Sequence, residues 1–437
     1  ALDQVVAAFG KDNVCVEIQR HLRRGEQWRN ETLVALAKSR RLPYVATNGV
    51  LYATPKEHQV LDVFTCIRHH TPLDAAGRLM SGNSERHLKS AAEMAALFRD
   101  LPKAIANTAR VAERLEFTLE NLGYEFPKYN GLSGEAADAF LRAEVMAGYR
   151  RYYKTPSRRV IRQIKRELDL IGKLGFAGYF LIVWDIVQYS RRSGILVPGR
   201  GSAANSVVCY CLGITACDPI AYELLFERFL SEGRGASWPD IDLDLPSGDR
   251  REQVIQEVYQ RYGKHGAAMT ANVITYRGRS AMREVGKALN LSPDIIDRFS
   301  SLFANGDFPH TINFSDQLER AGLPEGHSRA ATAASLYKQI YGLPRHLGQH
   351  SGGMIICQNA LSSVVPLENA SMPGRVVAQW DKDDCEDLGI VKVDLLGLGM
   401  MAAMQDVFAL CRERQGTPCA FQEIPKEDPA VYEMLKK

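Results

Sequence analysis

The chain has 437 residues, of which 46% are hydrophobic and 24% charged, and its formal net charge is only +3. That length suggests two or three domains of ordinary globular composition. The weak net charge excludes a protein that holds nucleic acid by bulk charge, so any basic surface must be local.

In chain order, residues 14–18 read as a strand, Asn30 to Arg41 as a helix and residues 42–47 as the next strand. That is a βαβ unit of an α/β domain. Helical patterns dominate from about 86 to 190. In one of them Val160, Ile164, Leu168 and Ile171 recur at helical spacing, while Arg158, Arg159, Arg162, Lys165 and Arg166 fill the other faces. Taken alone, that run reads as a solvated amphipathic helix. A Gly-rich loop, two helices and an acidic strand follow from about 195 to 265. Residues 270–350 read as mostly helical, 352–395 as β-like, and the last forty as helices and loops. There is no internal repeat or low-complexity tract. The most apolar run, 176–187, is interrupted by Asp185 and is too short to span a bilayer. No secretion signal is expected. The nine cysteines follow neither metal nor disulfide spacing, which suggests reduced thiols in a cytoplasm. Ala1 and the Lys436-Lys437 pair read as cut ends, so a fragment is expected.

Pro239-Asp240-Ile241-Asp242-Leu243-Asp244-Leu245 is the most informative segment. Strand side chains alternate faces, so the three aspartates share one face and the apolar residues the other. Like charges side by side destabilise a strand unless something offsets them. A divalent cation with hard oxygen ligands does so. The plainer alternative is an edge strand bearing acidic gatekeepers. A second strand pattern, Gly389-Ile390-Val391-Lys392-Val393-Asp394-Leu395, favours the metal reading. There Lys392 and Asp394 share a face, and a lone aspartate on an apolar strand is costly to bury unless paired or metal-bound. Side by side, the two strands would assemble Asp240, Asp242 and Asp394 into one cluster.

In Pro198-Gly199-Arg200-Gly201-Ser202-Ala203-Ala204-Asn205-Ser206 two glycines turn the chain into a small-residue helix. A helix N-terminus offers free N–H groups to phosphate, Ser202 a hydroxyl and Arg200 a charge. Neither a Walker A loop nor a dinucleotide fingerprint is present. The plainer alternative is a strand-to-helix turn with Ser202 as N-cap.

Five motifs in order resemble the C-family DNA polymerases of bacteria, the alpha-subunit type of DNA polymerase III. They are residues 175–183, residues 198–202, residues 224–230 with residues 239–244, His350-Ser351-Gly352-Gly353, and residues 392–398. Residues 202–211, 274–277, 343–347 and 379–384 are similar to the error-prone, damage-response branch. The resemblance implies an α/β (α+β) fold: a nucleotidyltransferase-type mixed-sheet palm with an inserted helical thumb, preceded by part of an α/β PHP domain. The expected parts are 1–110 as the C-terminal part of PHP, 111–270 and 350–399 as palm, 271–349 as thumb and 400–437 as the start of the fingers.

It further implies DNA-directed DNA synthesis from dNTPs on primed DNA with two Mg²⁺ ions. Asp240, Asp242 and Asp394 would be the catalytic ligands, with Asp244 in support. Arg200, Gly201, Ser202, Arg228 and Lys392 would hold the nucleotide. Arg277, Arg279, Arg283 and Lys287 lie on a helix expected to begin after Thr275 and are the candidate DNA contacts; by their spacing of four, positions 279, 283 and 287 make one basic stripe suited to a phosphate backbone. A sliding clamp and a Y-family-like adaptor are implied as partners, with no membrane. Other readings are a replicative alpha subunit, a PHP-type hydrolase, or a non-catalytic DNA-binding scaffold. Gly49 and Leu51 stand where metal-binding PHP domains carry ligands, and His69-His70 lacks acidic neighbours, which counts against the hydrolase. Without fingers this piece is expected to bind DNA weakly and not to extend it.

Overall fold

The computed structural model describes residues 1–231, 238–302, 320–322, 327–415, 424 and 428–437. It divides into two compact units, 1–118 with 275–345 and 119–274 with 346–437.

In the first unit β1 (Val16–Gln19) and β2 (Tyr44–Thr47) pair in parallel, Val16 opposite Tyr44. The helix Glu26–Ser39 connects them, so the expected βαβ unit is present. That helix begins a turn earlier than the periodicity predicts. Gly25, at φ 78°, supplies the left-handed turn before it, and the Glu26 carboxylate accepts from the backbone N–H groups of His21 and Arg23. One apolar core gathers Val14, Ile18, Val34, Phe98 and Ala104 around these strands. A second joins Val63 and Cys66 of the helix His58–His69 to Met282, Val285, Phe299, Leu336 and Tyr337. The helices after 275 therefore complete their core with an N-terminal helix.

The second unit is built on a seven-stranded mixed sheet, with strands β3 (Gly199–Arg200), β4 (Asp242–Pro246), β5 (Ala267–Thr275), β6 (Pro344–Ile356), β7 (Leu367–Asn369), β8 (Val376–Ala378) and β9 (Lys392–Leu398). Their order is β3-β4-β9-β6-β5-β8-β7. β4 runs parallel to β9, and both β3 on β4 and β6 on β9 are antiparallel. This is the mixed-sheet α/β class that the sequence implies. The sheet claims more of residues 270–350 than expected, since β5 extends to Thr275 and β6 starts at Pro344. Cross-strand pairing here overrides the helical reading of the flanks.

Leu243, Leu245, Val393 and Leu395 are fully buried beneath β4 and β9. Burying each such side chain contributes about 1.5–3 kcal/mol, enough to hold an acidic face in place. Helices Arg158–Lys173, Ala177–Arg192 and Asp249–Tyr262 complete this core. Among the described residues no single helix is long and apolar enough to cross a membrane.

Candidate active site: a carboxylate cluster on neighbouring strands

Asp242 and Asp394 face each other in register across the parallel β4–β9 pair. Asp240 joins them from the segment just before β4, not from within the strand as its alternation predicts. The strand begins only at Asp242, because its antiparallel partner β3 is two residues long and ends opposite Asp242. Tyr179, fully buried, anchors this entry: its hydroxyl accepts from the Ile241 backbone N–H at 3.2 Å. Asp240, Asp242 and Asp394 each offer one carboxylate oxygen, and these oxygens lie within 4.8 Å of one another.

The electrostatics of the cluster are those of a site short of positive charge. Burial, then the Asp240 and Asp394 carboxylates, push Asp242 up to about 6. Asp394 is only 6% exposed, and its Oδ1 is buried without a hydrogen-bond partner. An orphaned carboxylate oxygen is expensive in a folded core. A hard divalent cation would satisfy it, so these three carboxylates fit a metal site. Lys392 supplies part of the missing charge, its Nζ donating to Asp394 at 2.5 Å and Asp240 at 3.2 Å. Burial pulls the Lys392 pKa down, but its bonds and charge contacts with Asp394 and Asp240 outweigh that and raise it.

Asp244 is engaged differently. Arg200 Nε donates to both of its oxygens at 3.2 and 3.0 Å, while the Arg200 guanidinium also reaches Asp242 at 3.3 Å. The fourth acid is thus paired internally with Arg200. Arg200, expected to face phosphate, is held by carboxylates.

Gly353 stands opposite Asp394 on β6. A Cβ there would lie 2.5 Å from Thr270 Oγ1 and 3.3 Å from Asp394 Oδ1, so only glycine allows this approach. His350 Nδ1 accepts from the Gly352 and Gly353 N–H groups at 3.2 and 2.8 Å, within β6. Gly353 and His350 belong to a motif visible in the sequence, but the approach of Gly353 to Asp394 is not.

The Gly-Ser loop departs from expectation. Gly201, at φ 73°, places its backbone beside Asp242. Residues Gly201–Asn205 form a 3-10 turn, and the helix proper is Val207–Cys211. Its N-cap is Ser206, not Ser202. Its first N–H groups are not free for phosphate: Val207 and Val208 donate to the buried carboxylate of Glu167, and Cys209 to Ser206 Oγ. The Arg228 turn, Phe226–Arg228, packs against the Gly201–Asn205 turn, with Arg228 exposed. Glu167 was readable as an acid on the apolar face, three residues after Ile164 and four before Ile171.

Arg277, Arg279, Arg283 and Lys287 lie in the other unit, on or just before the helix Gly278–Ala288, and all are exposed. Arg283 pairs with Asp297 at 3.0 Å and Lys287 with Glu284 at 3.3 Å, so the stripe is partly neutralised. Arg277 sits 5.5 Å from the centre of the Tyr341 ring. In the same unit Gly49, at φ 52°, lies against Gln19, and buried His21 bonds the Asn48 carbonyl at 2.8 Å.

Residues 139–397 match the profile of the family described as bacterial DNA polymerase III alpha NTPase domain. The chain is 44% identical to an error-prone DNA polymerase of Rhodopseudomonas palustris over 434 residues, covering 99% of this chain and 36% of that protein. It is 43% identical to proteins of the same name from Nocardia farcinica and Mycobacterium tuberculosis, covering all of this chain and 37% and 39% of theirs. The chain therefore spans less than two fifths of the length of these curated relatives. With a match over more than half of its residues, the chain belongs to the bacterial DNA polymerase III alpha family.

Proposed function

We propose that this segment supplies the catalytic palm of an error-prone DNA-directed DNA polymerase, joining dNTPs to a primer 3′-hydroxyl on a DNA template. The observation that carries the proposal is the Asp240, Asp242 and Asp394 cluster with its unpartnered Asp394 oxygen. The names of the similar proteins support the error-prone assignment. In this reading residues 1–110 are the C-terminal part of a PHP domain, 111–270 and 350–399 the palm, 271–349 the thumb and 400–437 the start of the fingers.

Asp240, Asp242 and Asp394 would hold two Mg²⁺ ions, which supply charge neutralisation and activation of the attacking oxygen. The primer 3′-oxygen attacks the α-phosphate and pyrophosphate leaves. Lys392, kept protonated by Asp394, offsets carboxylate repulsion and can donate to a phosphate oxygen. Arg200 holds Asp244 and Asp242 in place from β3. Gly201 and Ser202, on the turn beside Asp242, and Arg228 contact the triphosphate. Arg277, Arg279, Arg283 and Lys287 contact the DNA backbone. A sliding clamp and a Y-family-like adaptor are the proposed partners. The eight described cysteines are free, which suits a reducing cytoplasm.

The test is primer extension by a full-length polymerase carrying this segment, with and without Asp240→Ala. Undiminished extension by the variant would overturn the assignment.

A further inference from the structure

Glu167 has no place in the chemistry proposed above, yet it is wholly buried and its carboxylate is densely bonded. Ser206 Oγ donates to it at 2.8 Å, the Val207 and Val208 backbone N–H groups at 3.2 and 3.1 Å, and Gln163 Nε2 at 2.9 Å. It therefore occupies the place an anionic ligand takes at a helix N-terminus. The short helix it caps begins immediately after the Gly201–Asn205 turn. The turn's other end is fixed by β3 pairing with β4, where Arg200 lies opposite Asp242. Its exit is held by the Ser206 N–H, which donates to the Ala203 carbonyl, and by the Ser206 hydroxyl, which donates to Glu167.

We propose that Glu167 is a positioning residue for nucleotide binding, a buried carboxyl that clamps the exit of the Gly201–Ser202 turn and so sets where that turn meets the triphosphate. This inference rests on the reading of that turn as a triphosphate element. The carboxylate needs no contact with substrate to act. It consumes the donors of the following helix, so the nucleotide phosphates must be met by the turn itself. It also ties that turn to the helix Arg158–Lys173, which packs in the core of the same unit. Replacing one carboxylate oxygen by an amide nitrogen sets a donor against a donor and releases one side of the clamp.

The test uses the 437-residue chain, with Mg²⁺–dATP and deoxyadenosine as probes in equilibrium binding. Thermal unfolding and Mg²⁺ titration of the carboxylate cluster are measured alongside. Glu167→Gln should weaken dATP binding about tenfold, the equivalent of one lost charged hydrogen bond, and leave deoxyadenosine and Mg²⁺ binding unchanged. Glu167→Asp, which keeps the carboxyl but shortens its reach, should show a smaller but still measurable loss of dATP binding than the isosteric amide, the reverse of what shape alone dictates. If the amide variant does not fold, the aspartate variant decides: selective loss of dATP binding supports the clamp, and unchanged binding overturns it. Parallel losses of dATP and Mg²⁺ binding would mean a general structural role and would also overturn it. Ser202→Ala separates the two readings. Weaker dATP binding in Ser202→Ala, with none in Glu167→Gln, rejects the clamp and keeps the triphosphate turn. No effect in either variant rejects both.

Discussion

Asp242 on β4 and Asp394 on β9 are direct neighbours in a parallel strand pair, with 151 intervening residues brought round to place them there, close enough with Asp240 that one oxygen from each lies within 4.8 Å. Such a placement keeps three negative groups where a folded chain would otherwise separate them. Its cost is visible in the raised pKa of Asp242 and in the unsatisfied oxygen of Asp394.

The first prediction concerns pH. The Asp242 carboxyl titrates near 6 in the folded chain, above the ordinary carboxylate range. The folded state therefore binds this proton more tightly than the unfolded state. Its contribution to stability is full below the ordinary range and is lost as pH rises through about 6. In EDTA, Asp242→Asn should lose less stability than the parent between pH 4 and 6. Mg²⁺ should raise the parent's melting temperature more above pH 6 than below it, and that gain should shrink in the variant. Identical profiles for the two proteins would remove the electrostatic account of the cluster.

The second concerns catalysis. In a full-length polymerase carrying this segment, Asp240→Ala, Asp242→Ala or Asp394→Ala should each reduce primer extension by about a hundredfold or more, with the fold intact by circular dichroism. Asp244→Asn should cost much less, since that acid is paired with Arg200. Equal losses at Asp244 and Asp394 would place four acids in the reaction.

The third tests the close approach on β6. Gly353→Ala puts a methyl group 2.5 Å from Thr270 Oγ1 and 3.3 Å from Asp394 Oδ1. Overpacking of this kind typically costs about 1–3 kcal/mol, read by denaturant unfolding. Mg²⁺ titration should show weakened binding as well, because Asp394 must shift. Wild-type stability and Mg²⁺ affinity together would show that the sheet absorbs the methyl group freely.

The fourth concerns DNA. Duplex affinity measured by anisotropy should fall steeply with salt, as counterion release requires. Arg279→Ala should cost more than Lys287→Ala, since Lys287 already has Glu284 at 3.3 Å, while no ion pair of Arg279 occurs among the described residues. Salt-insensitive binding would mark the stripe as a solvated helix face.

The fifth concerns the N-terminal segment. Gly49 and Leu51 bring no ligating side chain, and buried His21 is already engaged with the Asn48 carbonyl. Too few free donors remain for a transition metal. Metal analysis of the Asp240→Ala, Asp242→Ala double variant should find no stoichiometric zinc or manganese.

The amino-acid sequence by itself determined which residues could share a face. Alternation placed Asp242 and Asp244 together on one strand, and Lys392 with Asp394 on another, because the side-chain period of a strand is a local property. It also marked the basic residues of the helix Gly278–Ala288, whose four-residue spacing needs no partner to be read. Tertiary structure decided the rest. No local pattern states that β9 inserts between β4 and β6, since strand order depends on long-range packing of Leu243, Leu245, Val393 and Leu395. Only that order brings Asp394 to Asp242 and Gly353 to Asp394. The same holds for Arg200, whose sequence context suggested phosphate but whose charge is taken by Asp244 across β3 and β4. It holds as well for the helix after Ser202, whose N–H groups looked free until Glu167, forty residues earlier than Val207, was found to fill them. A donor's availability depends on everything packed around it, and burial is a property of the whole fold.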